Sequence, residues 1–165
     1  DVDPKFRPVI DSLLGRVVVI LLCAWVLFTQ VFLLTQAKGS SMFPAVKDGY
    51  LLICYRLQKT YAKNDVVVYT QGGKLRVGRI LGREGDLVAL DDSGTLVVNG
   101  AVQSGEILYP TYAKDVLEIP YTVPEGCFFV LGDYRTQSED SRDFGPVPLE
   151  DVQAKVITLL RRRSL

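Results

Sequence analysis

The chain has 165 residues, enough for one domain with appendages. Its 19 Lys and Arg offset 19 Asp and Glu, so bulk charge gives no ground for nucleic-acid binding. Histidine is absent and the three cysteines (Cys23, Cys54, Cys127) lie far apart, which removes the usual general base and any zinc spacing. No metal and no cofactor is expected. Cys54 and Cys127 are candidates for a bridge or for two small buried side chains.

Residues 1–16 are too short to fold alone, though a lead-in helix after Pro8 is compatible with them. Residues 17–36, VVVILLCAWVLFTQVFLLTQ, carry no charge. As a helix this run is about 30 Å long, the thickness of a hydrocarbon core. It reads as a transmembrane helix. A cleaved secretory signal is the alternative, but signal h-regions run only about 7–15 residues. A buried core helix is disfavoured by apolarity on every face. Lys5, Arg7 and Arg16 before the run nearly balance Lys38, Lys47 and Arg56 after it, so charge leaves the orientation open.

From residue 37 onward the pattern is β-rich. YLLICYRL (50–57), DVVVYT (65–70), LRVGRIL (75–81), DLVAL (86–90), TLVVNG (95–100), CFFVLGD (127–133) and AKVITLL (154–160) read as strands, with QGG, DDSG, NG and PEG as turns. No later segment sustains a helical apolar period. Residues 37–165 are therefore expected to form one all-β domain, with 104–126 as an irregular, proline-containing excursion. The terminal RRR (161–163) reads as a solvated tail, with contact to anionic lipid or wall polymer as the alternative.

Chemistry concentrates in GSSMFPAV (39–46), directly behind the apolar run. Ser41 is a candidate nucleophile, and a serine hydroxyl needs a base to act at neutral pH. Here four stretches in order resemble the type I signal peptidases, which cut leader sequences from exported proteins. GSSMFP resembles the family's nucleophile box, NDVVVY its following strand, and VGRILGREGD the box that carries the catalytic lysine. LGDYRTQSEDSRDFGPVP resembles its last box, at Gly132, Asp133, Ser138, Asp140, Ser141, Arg142 and Gly145. LVVNG is similar to the strand-turn between them.

The resemblance implies a signal-peptidase-like antiparallel β domain on one N-terminal transmembrane helix. It also implies a single-pass cell-membrane protein with the N-terminus cytoplasmic and the β domain outside. Ser41 takes the nucleophile position and Ser138 the position that orients the base. Asp133, Asp140 and Arg142 belong to a structural box in which Asp140 and Arg142 form an ion pair. Met42, Val46 and Val77 take the places of substrate-pocket walls, with ordinary β-sheet packing as the alternative for all three.

The departures bear on mechanism. The general-base position is Gly78, where the family has lysine; Glu84 replaces the box's proline, and Tyr134 replaces the asparagine of the last box. Lys74 lies on the same face of its strand as residue 78 but about 13 Å away, beyond a lysine's reach. Arg76 stays protonated. Without a lysine, the floor beside Ser41 is expected to be wide, and Ser138 is expected to bond backbone.

The reading is thus a membrane-anchored, dyad-incomplete protein of the kind linked to Gram-positive pilus assembly. It would bind an extended segment of an exported or surface protein, possibly a pilus subunit, with the bilayer as its other partner and no nucleic acid. An active type I signal peptidase, a serine endopeptidase with an unrecognised base, is the alternative.

Overall fold

The computed structural model describes residues 7–103 and 108–161, with side chains from residue 11. It begins with helix α1, Arg7–Val31, followed without a break by strand β1, Phe32–Gln36. This corrects the expected span of 17–36: the helix starts earlier, and its last five expected residues are sheet. The reason is local competition for hydrogen bonds. The Arg56 N–H donates to the Val31 carbonyl at 2.8 Å and Arg56 Nη1 to the Thr29 carbonyl at 3.3 Å, satisfying helix-end acceptors. A cation at a helix C-terminus also complements its dipole. Phe32 then packs between Phe28 at 5.2 Å and Tyr55 at 6.1 Å, which carries the chain into register with strand β2, Leu51–Tyr55. The stretch Asp11–Val31 remains long and apolar enough to cross a membrane, and none of it is buried against the rest of the chain.

All seven strands expected from the sequence are present: β2 Leu51–Tyr55, β3 Val66–Gln71, β4 Lys74–Arg83, β5 Leu87–Leu90, β6 Leu96–Val98, β9 Cys127–Leu131 and β11 Val152–Leu160. Four short ones join them: β1, β7 Ala101–Val102, β8 Tyr121–Thr122 and β10 Val147–Pro148. Every strand pairing among the described residues is antiparallel, and the strands form two sheets. The larger runs β1-β2-β11-β3-β4-β9-β10 and the smaller β7-β6-β5-β8. The 104–126 excursion is only partly irregular. It contributes β8 to the small sheet, and residues 104–107 lie outside the described residues. Most of the terminal RRR lies outside them as well. A single-turn helix, α2 Ser141–Phe144, sits between β9 and β10.

Three apolar clusters hold the domain. Leu52, Cys54, Val68 and Ala154 pack beneath the segment after β1; Val67, Tyr69, Ile80 and Val130 occupy the opposite face of β3 and β4; Val88, Leu96, Val123 and Phe129 join the two sheets. Cys54 and Cys127 are both free thiols in separate clusters, and burial pushes the Cys54 thiol up to about 11.

Candidate active site

Ser41 lies in a tight loop between β1 and β2. Gly39 starts it with φ +79°, a conformation that favours glycine, and its N–H donates to Asp48 at 2.7 Å. Two turn bonds, Phe43 N–H to the Ser40 carbonyl (2.9 Å) and Val46 N–H to the Met42 carbonyl (2.8 Å), coil the segment. Met42 and Val46 then point inward: both are buried in the cluster with Leu52 and Val68. They anchor the serine loop from below and lie outside the cleft lining, which matches the core-packing alternative and not the place of pocket walls. The apolar spacing of the box serves the core.

The Ser41 carbonyl accepts a hydrogen bond from the Tyr134 N–H at 2.9 Å, which ties the loop to the last box. The Tyr134 ring packs against Phe43 and Tyr109, with centroids at 5.9 and 4.6 Å. The tyrosine that replaces the box's asparagine thus clamps the serine loop by backbone and ring together. Gly132 is required at the same junction, because a Cβ there would fall 2.6 Å from the Ser41 carbonyl oxygen.

A cleft of about 730 Å³ opens beside Ser41. It is lined by Thr35, Gln36 and residues 38–41 from the serine loop, by the start of β4, Lys74–Val77, and by Gln137 and Glu139. Val77 is the one expected pocket residue that reaches it. Strand β4 pairs with β3 along Lys74–Arg79, whereas β9 joins its other edge only from Arg79 to Arg83. Among the described residues, the outer edge of Lys74–Gly78 therefore has no strand partner.

Gly78 itself is outside the cleft lining. It shares a face with Arg76 and faces the second apolar cluster. A Cβ there would sit 2.5 Å from Val130 Cγ1, 3.2 Å from Tyr69 Cε1 and 3.4 Å from the Leu131 carbonyl oxygen. The expected wide floor is absent, because Tyr69 and Val130 close over the glycine. Tyr69 is buried; burial, with the nearby Asp140 charge, pushes its phenol far above its ordinary value, so it is no base at neutral pH. Lys38 and Lys74 also line the cleft, but both are solvent-exposed. A lysine base works from apolar surroundings.

Ser138 is bonded within its own box. Its hydroxyl donates to Asp140 Oδ2 at 2.6 Å and accepts from Arg142 Nη2 at 3.2 Å. It bonds side chains here, where a backbone partner was expected. Asp140 and Arg142 form a bidentate pair (Nε–Oδ1 2.9 Å, Nη2–Oδ2 2.8 Å), both nearly fully buried. Burial works to raise the Asp140 carboxyl, yet the Arg142 hydrogen bonds and charge, with Ser138 and the Gly132 N–H, hold it below the ordinary carboxylate range. Asp140 also caps α2 through the Arg142 N–H, while Asp143 returns a bond from the Asp140 N–H. Asp133 grips Arg79 with two bonds of 2.8 and 2.6 Å. Glu84, in the place of a proline, accepts from the Gly126 N–H at 2.8 Å and so holds the PEG turn.

The fold and the site together define a serine-protease-like β domain carried on an apolar helix. The family model described as "Signal peptidase, peptidase S26" matches residues 10–160, and the chain belongs to that family. It is 34% identical over 136 residues to "Signal peptidase I" of Bacillus caldolyticus, covering 72% of this chain and 74% of that protein. It is 31% identical over 131 residues to "Mitochondrial ATP-independent inner membrane protease subunit 1b" of Arabidopsis thaliana, covering 75% of this chain and 67% of that protein. Among solved structures, a signal peptidase I from Enterococcus faecalis V583 superposes with a TM-score of 0.51 at 31% identity. That match covers 60% of this chain and 97% of the other. Given the family and the apolar N-terminal helix, the protein is membrane-anchored.

Proposed function

We propose that this chain is a membrane-anchored signal-peptidase-like protein that has lost its general base and retained its binding cleft. It holds an extended segment of an exported protein beside Ser41 and assists surface assembly, of pili in a Gram-positive setting. Helix α1 crosses the membrane once with its N-terminus in the cytoplasm, and the β domain works outside. The observation that carries the reading is Gly78. The position that holds lysine in the family has no side chain, and Tyr69 and Val130 occupy the space over it. Ser138, bonded to Asp140 and Arg142, is committed to structure.

Binding has separate support. The unpartnered edge of Lys74–Gly78 runs along the cleft that contains Ser41. A peptide added to a sheet edge gains main-chain hydrogen bonds, while alternate side chains give specificity. The loss of chemistry is large by comparison: removing one member of a serine–base unit typically lowers the rate by on the order of 10⁴–10⁶.

The detergent-solubilised chain is incubated with a leader peptide of an exported protein, beside Ser41→Ala. The expected result is no cleavage above that variant, with peptide binding equal in both. The second reading is an ordinary signal peptidase, favoured by the names of relatives near one-third identity. Cleavage that depends on Ser41 would establish it and overturn the first.

A further inference from the structure

Three arginines present the same fork, Nε with Nη2, around this site. Arg79 closes its fork on Asp133 and Arg142 closes its own on Asp140, each with two bonds. Arg76 does not. Its Nη2 pairs with Glu139 at 3.0 Å, while its Nε is the one buried side-chain nitrogen or oxygen without a hydrogen-bond partner among the described residues. Buried polar groups are normally satisfied, and an exception marks strain, a bound water or ion, or a ligand site. Arg76 is held in place by the Phe144 ring, 5.7 Å from its guanidinium carbon, and lines the cleft with Ser41.

Glu139 is a poor permanent partner. Its side chain is 62% exposed, against 26% for Arg76, and an ion pair with an exposed partner is weak and exchangeable. The cleft walls add two further cations, Lys38 and Lys74, against the single carboxylate of Glu139. The local field therefore favours an incoming anion.

We infer that the Ser41 cleft selects an extended peptide bearing a carboxylate side chain, which displaces Glu139 and takes both teeth of the Arg76 fork. This rests on the peptide-binding reading above and names the class of segment bound. A carboxylate matches a guanidinium fork bidentately, whereas an amide or an ammonium does not. Glu139 then acts as an internal competitor that is released when the ligand docks.

The test uses the full chain in detergent and dye-labelled decapeptides of alternating small apolar residues carrying one Glu, Gln or Lys, read by fluorescence anisotropy. The Glu peptide is expected to bind on the order of tenfold more tightly than the Gln peptide at low salt, with the gap narrowing as salt rises. Arg76→Gln should erase the difference, and Arg76→Lys should restore only part of it. Glu139→Gln should tighten Glu-peptide binding by removing the competitor; this exposed position also keeps the test decisive if Arg76→Gln folds poorly. Equal affinity for the Glu and Gln peptides, or a Glu139→Gln chain that binds the Glu peptide no better, overturns the inference and leaves peptide binding standing. Failure of all three peptides to bind overturns the peptide-binding reading and this inference with it.

Discussion

Tyr69 crosses from β3 to lie over Gly78 on β4, its Cε1 3.2 Å from where a Cβ at residue 78 would stand. The register explains it. Val67 is opposite Gly78 and Tyr69 opposite Arg76, so all four share one face and the ring leans diagonally over the glycine. Val130 closes the same space from β9.

Restoring the lysine therefore takes more than one substitution. Gly78→Lys alone should destabilise the domain by about 1–3 kcal/mol, because its Cβ would meet Val130 Cγ1 at 2.5 Å. Adding Val130→Ala makes room beside the Tyr69 ring. The double variant should melt higher than the single one. Thermal melts check this. A single variant that melts like wild type would show that the packing over Gly78 is loose.

Gly132→Ala should disturb Ser41 without touching its side chain. The new Cβ would stand 2.6 Å from the Ser41 carbonyl, which is backbone and tied to Tyr134. The expected outcome is a loss of about 1–3 kcal/mol in stability together with weakened peptide binding. Denaturant titration beside anisotropy separates the two. Undisturbed binding in this variant would mean that the loop has slack.

Asp140→Asn should cost about 3–5 kcal/mol, since it leaves the buried Arg142 guanidinium without its carboxylate. The same pair sets an acid response. The Asp140 carboxyl is held below its unfolded value, so its stabilisation is present above the unfolded pKa of about 4 and is lost as pH falls through the lower folded value. Asp86 adds to this in the same direction. Burial opposes its ionisation, yet hydrogen bonds from the Arg83 N–H, Asn99 and Lys63 hold its carboxyl down. Melting temperature should be flat at neutral pH and fall below about pH 4. The fall should be shallower in Asp140→Asn; an equally steep fall there would assign the acid response to other groups.

Truncation maps the domain boundary. Removing residues 1–31 keeps β1, which pairs with β2 from Phe32–Tyr55 to Gln36–Leu51. Removing residues 1–36 deletes that edge strand and exposes β2. The shorter deletion should give the more stable soluble domain, with a higher melting temperature and less aggregation. Equal melting of the two chains would show that β1 contributes nothing to the core.

Periodicity and residue type were enough to reveal the apolar anchor, the seven main strands and the order of the boxes, because these are properties of consecutive residues. The identity of Gly78 was equally plain, since a missing side chain needs no structure to be noticed. Pairing decided the rest. Phe32–Gln36 continues the uncharged run of the helix before it, and its register with β2 makes it a strand. Met42 and Val46 sit in a box that reads as a pocket wall, and only the turn of the serine loop directs them into the core. The half-filled fork of Arg76 depends on where Glu139 falls, 63 positions along the chain (139 − 76). No local pattern encodes such a contact, because the strands that bring its partners together are distant in sequence.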